Sequence, residues 1–150
     1  MPLRADWIYP LLWLLAAAPP LRGWLETSMA LHMLVQLPLL AWIGQRAKQV
    51  ETLTSVCTGS MLLGEAGLLD GRHATTHWRS LQRMREAFPA VTVEEKLHVV
   101  EDGNVLTSAG ISAGIDMALR VVARYHGEAV ARNTARNMEY RYPDDNSRRV

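Results

Sequence analysis

Cys57 is the only cysteine among 150 residues, and it stands in Leu53-Thr-Ser-Val-Cys-Thr-Gly-Ser-Met-Leu-Leu-Gly64, where a β-branched run meets a small-residue turn and an apolar helical stretch. A nucleophile elbow has this form: a strand, the reactive residue, small neighbours and a helix. Thr58 and Gly59 supply the small neighbours. The positive end of the following helix favours thiolate over thiol, and thiolate is the form of cysteine that attacks electrophiles. A lone cysteine read from composition alone is a small buried hydrophobe. The strand–Cys–Thr–Gly–helix context favours the elbow over that reading.

The other titratable residues offer less. His73 and His77 stand four apart, a spacing that puts two imidazoles on one face of a helix, but Ala74-Thr75-Thr76 between them reads as extended. Structural metal sites need about four ligands, and no cysteine or carboxylate nearby completes a set, so neither a metal nor a cofactor is expected. Glu65 on the elbow helix is expected on a solvated face. Asp116, near the start of a later helix, suits the helix dipole and is a poor candidate for the pocket. Arg148-Arg149 are expected to be solvated.

The elements that must position Cys57 follow from periodicity and turn chemistry. Val50–Cys57 reads as a strand and Thr58–Leu69 as a helix, with Gly67 and Asp70-Gly71 as cap and turn. Arg72–Thr76 forms a short strand, Trp78–Phe88 a helix stopped by Pro89, and Val91–Val93 another extended piece. Asp102-Gly103 between Leu97–Glu101 and Asn104–Ser108 is a strong hairpin signal. Ser112 is expected to cap the next helix, and a last one runs from about Glu128 to Tyr140. This order of elements is that of an α/β protein.

A net charge of +1 and a pI near 8.0, with basic and acidic residues intermixed, argue against nucleic acid as a partner. The single cysteine excludes an internal disulfide framework and fits a reducing, cytoplasmic compartment. Residues 1–44 differ from the rest, with only Arg4, Asp6, Arg22 and Glu26 as charged groups. Uncharged runs extend from Trp7 to Leu21 and from Thr27 to Gln45, flanked by tryptophans at 7, 13, 24 and 42. A membrane-spanning helix needs about 20 apolar residues, which makes the first run short and the second borderline. Membrane insertion or association through residues 1–44, burial as helices within the protein, and a cleaved signal ending near Ala16-Ala17-Ala18 remain open. The expected division is therefore an apolar, membrane-associated segment over 1–44 and an α/β part over 45–150.

Three segments in order, the elbow, Gly67-Leu-Leu-Asp-Gly-Arg-His-Ala-Thr-Thr-His-Trp78 and Thr107-Ser-Ala-Gly-Ile-Ser-Ala-Gly-Ile-Asp116, resemble the DJ/PfpI superfamily over about residues 45–142. The resemblance is to its isonitrile hydratase branch and to the amidotransferase-like sensory domains of AraC-type regulators. It implies a flavodoxin-like three-layer α/β/α sandwich, incomplete at its N-terminus and preceded by an apolar helical segment. It also implies Cys57 as the nucleophile, with Thr58 and Gly59 beside it. Gly110, Ile111 and Ser112 would form the facing wall, and His77 and Trp78 would lie near the rim. A small molecule is the implied partner and a homodimer the implied assembly. Family members also carry an acidic residue on a first βα unit. Residues 1–44 show no such unit, so no acid–base role passes to Asp6 or Glu26. The expected function is isonitrile hydration, impaired by that lack, with a non-catalytic sensory module or a fused or frame-shifted remnant as alternatives.

Overall fold

The computed structural model describes residues 29–149. They fall into two units, the first ending at Gln49 and the second beginning at Val50. In the first, helix α1 (Met29–Ala47) carries most of the second uncharged run, with Pro38 inside it. The expectation of a membrane-spanning helix is corrected there: among the described residues no helix is long and apolar enough to cross a membrane. His32, Gln36 and Gln45 dilute the run with polar groups that hydrocarbon does not solvate. The first uncharged run, Trp7–Leu21, lies outside the described residues.

The second unit is built on a three-stranded sheet in the order β1 (Leu53–Val56), β5 (Val105–Ser108), β4 (Val99–Asp102). The central strand β5 is buried along its whole length. It pairs parallel with β1, Leu53 opposite Val105 and Val56 opposite Ser108, and antiparallel with β4. Two-residue strands β2 (His73–Ala74) and β3 (Thr92–Val93) pair in parallel as a separate sheet. The β4–β5 hairpin exists, but its turn is Gly103-Asn104, one residue later than expected, with Gly103 at φ 60°. Asp102 stays in the strand, where its carboxylate accepts the His73 N–H at 2.8 Å and pairs with Arg72 at 3.4 Å. That contact ties β2 to β4.

Helix α2 (Gly59–Glu65) follows β1 and ends earlier than the apolar pattern suggests. Gly67, at φ 68°, closes it: Leu68 N–H donates to the Leu63 carbonyl and Gly67 N–H to that of Gly64, the paired bonds of a Schellman motif. The expected helix over 78–88 begins as a 3₁₀ turn (Trp78–Ser80) and becomes helix α3 (Leu81–Ala87) before Pro89. Helix α4 (Ile111–His126) is capped by Gly110 and not by Ser112, which falls inside its first turn. It turns Ala113, Asp116, Met117 and Leu119 inward, and Met117 joins Val99 and Leu106 in the core. Gly127, at φ 91°, links it to α5 (Glu128–Asn137), whose small buried residues Ala131 and Ala135 let the two helices pack closely.

Beyond α5 the chain returns as a strap, and here two expectations fail. Arg148 is part-buried, whereas Arg149 stays exposed as expected. Ser147 bridges Leu97 in antiparallel fashion, His98 N–H donates to the Asn146 carbonyl at 2.9 Å, and Arg148 N–H donates to that of Lys96 at 2.7 Å. The Asn146 side chain imitates a further strand residue, accepting from Val99 N–H and donating to the Val99 carbonyl. Asp116 does not serve the helix dipole at the surface; its buried carboxylate accepts the Tyr140 hydroxyl at 2.8 Å and pairs with Arg149. His98 lies against the same carboxylate, 3.5 Å away, and its ring nitrogens have no hydrogen-bond partner among the described residues.

Two outcomes follow from this packing. A Cβ at Gly64 would lie 2.6 Å from the Phe88 ring, so Gly64→Ala should lower the urea midpoint. Overpacking costs about 1–3 kcal/mol, which exceeds the roughly 1 kcal/mol that alanine returns in helix propensity; an unchanged midpoint contradicts that close approach. Burial lowers the pKa of His98 from its ordinary 6.5, and Arg149 lowers it further against the pull of Asp116. The unfolded chain therefore takes up the His98 proton first on acidification. The stability that neutral His98 contributes is complete above its unfolded pKa and is lost as pH falls towards the folded value. Urea midpoints should drop between about pH 7.5 and 5.5, and His98→Asn should flatten that slope. A slope identical in wild type and variant would assign it to other groups.

Candidate active site

Cys57 occupies the turn between β1 and α2 in the left-handed region, at φ 58°. For a residue with a side chain this conformation costs about 1–2 kcal/mol, and surrounding bonds must hold it. Three do. Its N–H donates to the Ser108 carbonyl at 3.1 Å, continuing the β1–β5 ladder one step past the strand. Its carbonyl accepts two hydroxyls, Ser60 Oγ at 3.1 Å and Thr76 Oγ1 at 3.0 Å. Ser60, Thr76 and Ser108 are all fully buried. The turn thus lifts the thiol out of the sheet while its backbone stays pinned, and Cys57 is half-buried.

Thr76 is itself fixed by its neighbours. Thr75 N–H donates to Thr107 Oγ1 at 2.8 Å, and the Thr75 hydroxyl donates to the Glu94 carbonyl at 2.7 Å. Space at Gly59 is tight: a Cβ there would meet Ser55 Oγ at 3.1 Å. Thr58 caps α2 through its backbone, with Met61 N–H donating to its carbonyl at 3.0 Å. Its side chain is exposed and caps nothing, so the expected donor beside the nucleophile is at the surface.

Of the residues expected in the facing wall and at the rim, Gly110 and His77 lie beside each other: a Cβ on Gly110 would lie 3.8 Å from His77 Cδ2. His77 Nδ1 accepts the Arg79 N–H at 3.3 Å and so caps the 3₁₀ turn. Trp78 is half exposed, its ring 5.8 Å from that of His77 and covered by the Arg79 guanidinium at 4.9 Å. Ile111 is 85% exposed, and Ser112 lines a separate cleft with Tyr140, Arg141 and Arg149. His73 pairs with Glu94 at 2.7 Å, Glu65 is exposed, and no group of three potential metal ligands occurs among the described residues.

Sequence reasoning missed Ser60, Thr76 and Ser108 as holders of the elbow. Ser60 carried a usable signal, because a hydroxyl three residues along can reach back to the Cys57 carbonyl in the first turn of a helix. Chemically, the arrangement presents one thiol on a pinned turn at the start of a helix. The thiol makes no hydrogen bond among the described residues.

Comparison with known proteins agrees with this geometry. Residues 30–124 match the DJ-1/PfpI family. The chain is 43% identical over 101 residues to isonitrile hydratase of Pseudomonas putida, covering 67% of this chain and 43% of that protein. It is 41% identical over 93 residues to the HTH-type transcriptional regulator CdhR of Pseudomonas aeruginosa, covering 62% of this chain and 27% of the regulator. Among solved structures, a ThiJ/PfpI family protein from Pseudomonas syringae superposes with a TM-score of 0.61 at 40% identity, covering 71% of this chain and 42% of that one. The chain spans less than half the length of each of these relatives. With its α/β elements, its elbow and these likenesses in agreement, the fold is of the expected flavodoxin-like type, and the chain belongs to the DJ-1/PfpI family.

Proposed function

We propose that the chain provides the cysteine side of a small-molecule site whose chemistry is isonitrile hydration. The observation that carries this reading is the left-handed Cys57 on a turn pinned by Ser108, Ser60 and Thr76. In the proposed reaction the Cys57 sulfur bonds to the terminal carbon of R–N≡C and a proton adds, giving a thioformimidate. Water then adds to the C=N carbon, the C–S bond breaks, and the thiol returns as R–NH–CHO leaves. Backbone N–H groups at the start of α2 would steady charge that develops at the carbon. Gly110 and His77 would bound the substrate on the side facing the turn, and Trp78 would close the rim.

A second reading is a ligand-binding sensory module that keeps the pocket without turnover. It is favoured by the 41% identity to the regulator CdhR. The two readings separate on one assay.

Cys57 should be alkylated by iodoacetamide faster in the folded chain than in the same chain unfolded in urea, and Cys57→Ser should abolish labelling. An equal or slower rate in the folded chain overturns the role of Cys57. With an alkyl isonitrile, formation of the N-substituted formamide followed by NMR should be slower than for the Pseudomonas putida hydratase by about 10²–10⁴, the usual worth of general acid–base assistance. Turnover at the hydratase's rate would place a proton-transfer group at this elbow. No formamide, together with saturable isonitrile binding, supports the sensory module.

A further inference from the structure

Arg148 reaches the elbow from the opposite end of the chain. Its side chain is part-buried among carbonyls and one hydroxyl: it donates to the Thr76 carbonyl at 3.2 Å, to the Glu94 carbonyl at 3.5 Å, to the Glu95 carbonyl, and to the Thr75 hydroxyl. Removal from water lowers its pKa, with only Glu95 pulling the other way. A cation so placed loses hydration and regains it from fixed dipoles, which makes its position specific. One of those groups belongs to Thr76, which also holds Cys57. Thr76 gives its carbonyl to Arg148 and its hydroxyl to the Cys57 carbonyl, so one residue separates the guanidinium from the strained turn.

We propose that Arg148 is a positioning residue for Cys57, and that the strap carrying it is coupled through Thr76 to the conformation of the elbow. Without the guanidinium, Thr76 is held only through Thr75, its hydroxyl shifts from the Cys57 carbonyl, and the left-handed turn relaxes. The coupling is reciprocal: a change at the elbow alters the seat of the strap by the same factor. As it concerns reactivity, the proposal rests on the reading of Cys57 as the attacking group; as it concerns backbone conformation, it does not.

The test uses the full chain, with folding of each variant confirmed by circular dichroism. Arg148→Ala and Thr76→Val should each slow iodoacetamide labelling of Cys57 about fivefold, the factor equivalent to one lost hydrogen bond. The double variant should be no slower than the slower single one, because both changes cut the same link. Arg148→Lys should recover part of the rate. A purely structural role predicts lower melting temperatures with unchanged labelling of the folded chain, and that result overturns the proposal. So do single effects that multiply in the double variant.

If folded wild type labels no faster than the unfolded chain, the reading of Cys57 fails while this proposal is still decided by NMR. The Cys57 amide and Cα resonances, which report its left-handed backbone, should move in Arg148→Ala; unmoved resonances overturn it. Should that variant not fold, Thr76→Val gives the reverse measurement. The Arg148 amide, bonded to the Lys96 carbonyl, should exchange faster in Thr76→Val than in wild type, and equal protection overturns the coupling.

Discussion

The Cys57 carbonyl, held by two buried hydroxyls, is the constraint on which the rest of this structure turns. A non-glycine residue at φ 58° is unfavourable in isolation. Each nearby element can be understood by what it does to keep that conformation. The β1–β5 ladder fixes the Cys57 N–H on Ser108, the first turn of α2 supplies Ser60, and the segment after β2 supplies Thr76. Gly59 sits close above Ser55, and Gly114 lets α4 come down on Val56 at the end of the same strand.

The elements that supply those donors are short, so they need ties from elsewhere. Strands β2 and β3 have two residues each and could not stand alone. Asp102 secures β2 to the hairpin, Thr107 secures Thr75 to the central strand, and Arg148 joins Thr75 and Thr76 to the end of β3. The strap is anchored in turn by Asn146 on β4 and by Arg149 on buried Asp116. The region opposite the nucleophile is thus organised by side chains at least as much as by sheet pairing. Single polar substitutions there should act on the site and on stability together.

What was legible in the sequence is what depends on near neighbours. The elbow could be read because strand, cysteine, small residues and helix are contiguous, and Gly67 and Gly71 mark real left-handed turns. The hairpin was legible as an element, though not that Asp102 stays in the strand and meets His73 and Arg72, residues about thirty positions away. Arg148 looked like part of a solvated end because composition is silent on carbonyls brought in from residues 76, 94 and 95. The apolar N-terminal part suggested a membrane span because charge is scarce there. Scarcity of charge is necessary for a span, but α1 lacks the apolar density that a span also requires.

The same elbow serves in principle either chemistry or sensing, and the physical difference lies in where the strain of the turn is used. A catalyst needs the thiol held in one geometry through attack and release, so its supports must be stiff and must not respond to the ligand. A sensor needs the opposite: ligand or adduct must favour one of two arrangements, and something distant must feel the choice. The supports of Cys57 contain both kinds. The Ser108 and Ser60 contacts belong to the strand and helix that adjoin the turn. The Thr76 contact passes directly to an arginine at the far end of the chain, a longer connection than holding a thiol in place requires. It is this third support, more than the cysteine itself, that separates a site built only for attack from one whose state can be felt at the strap.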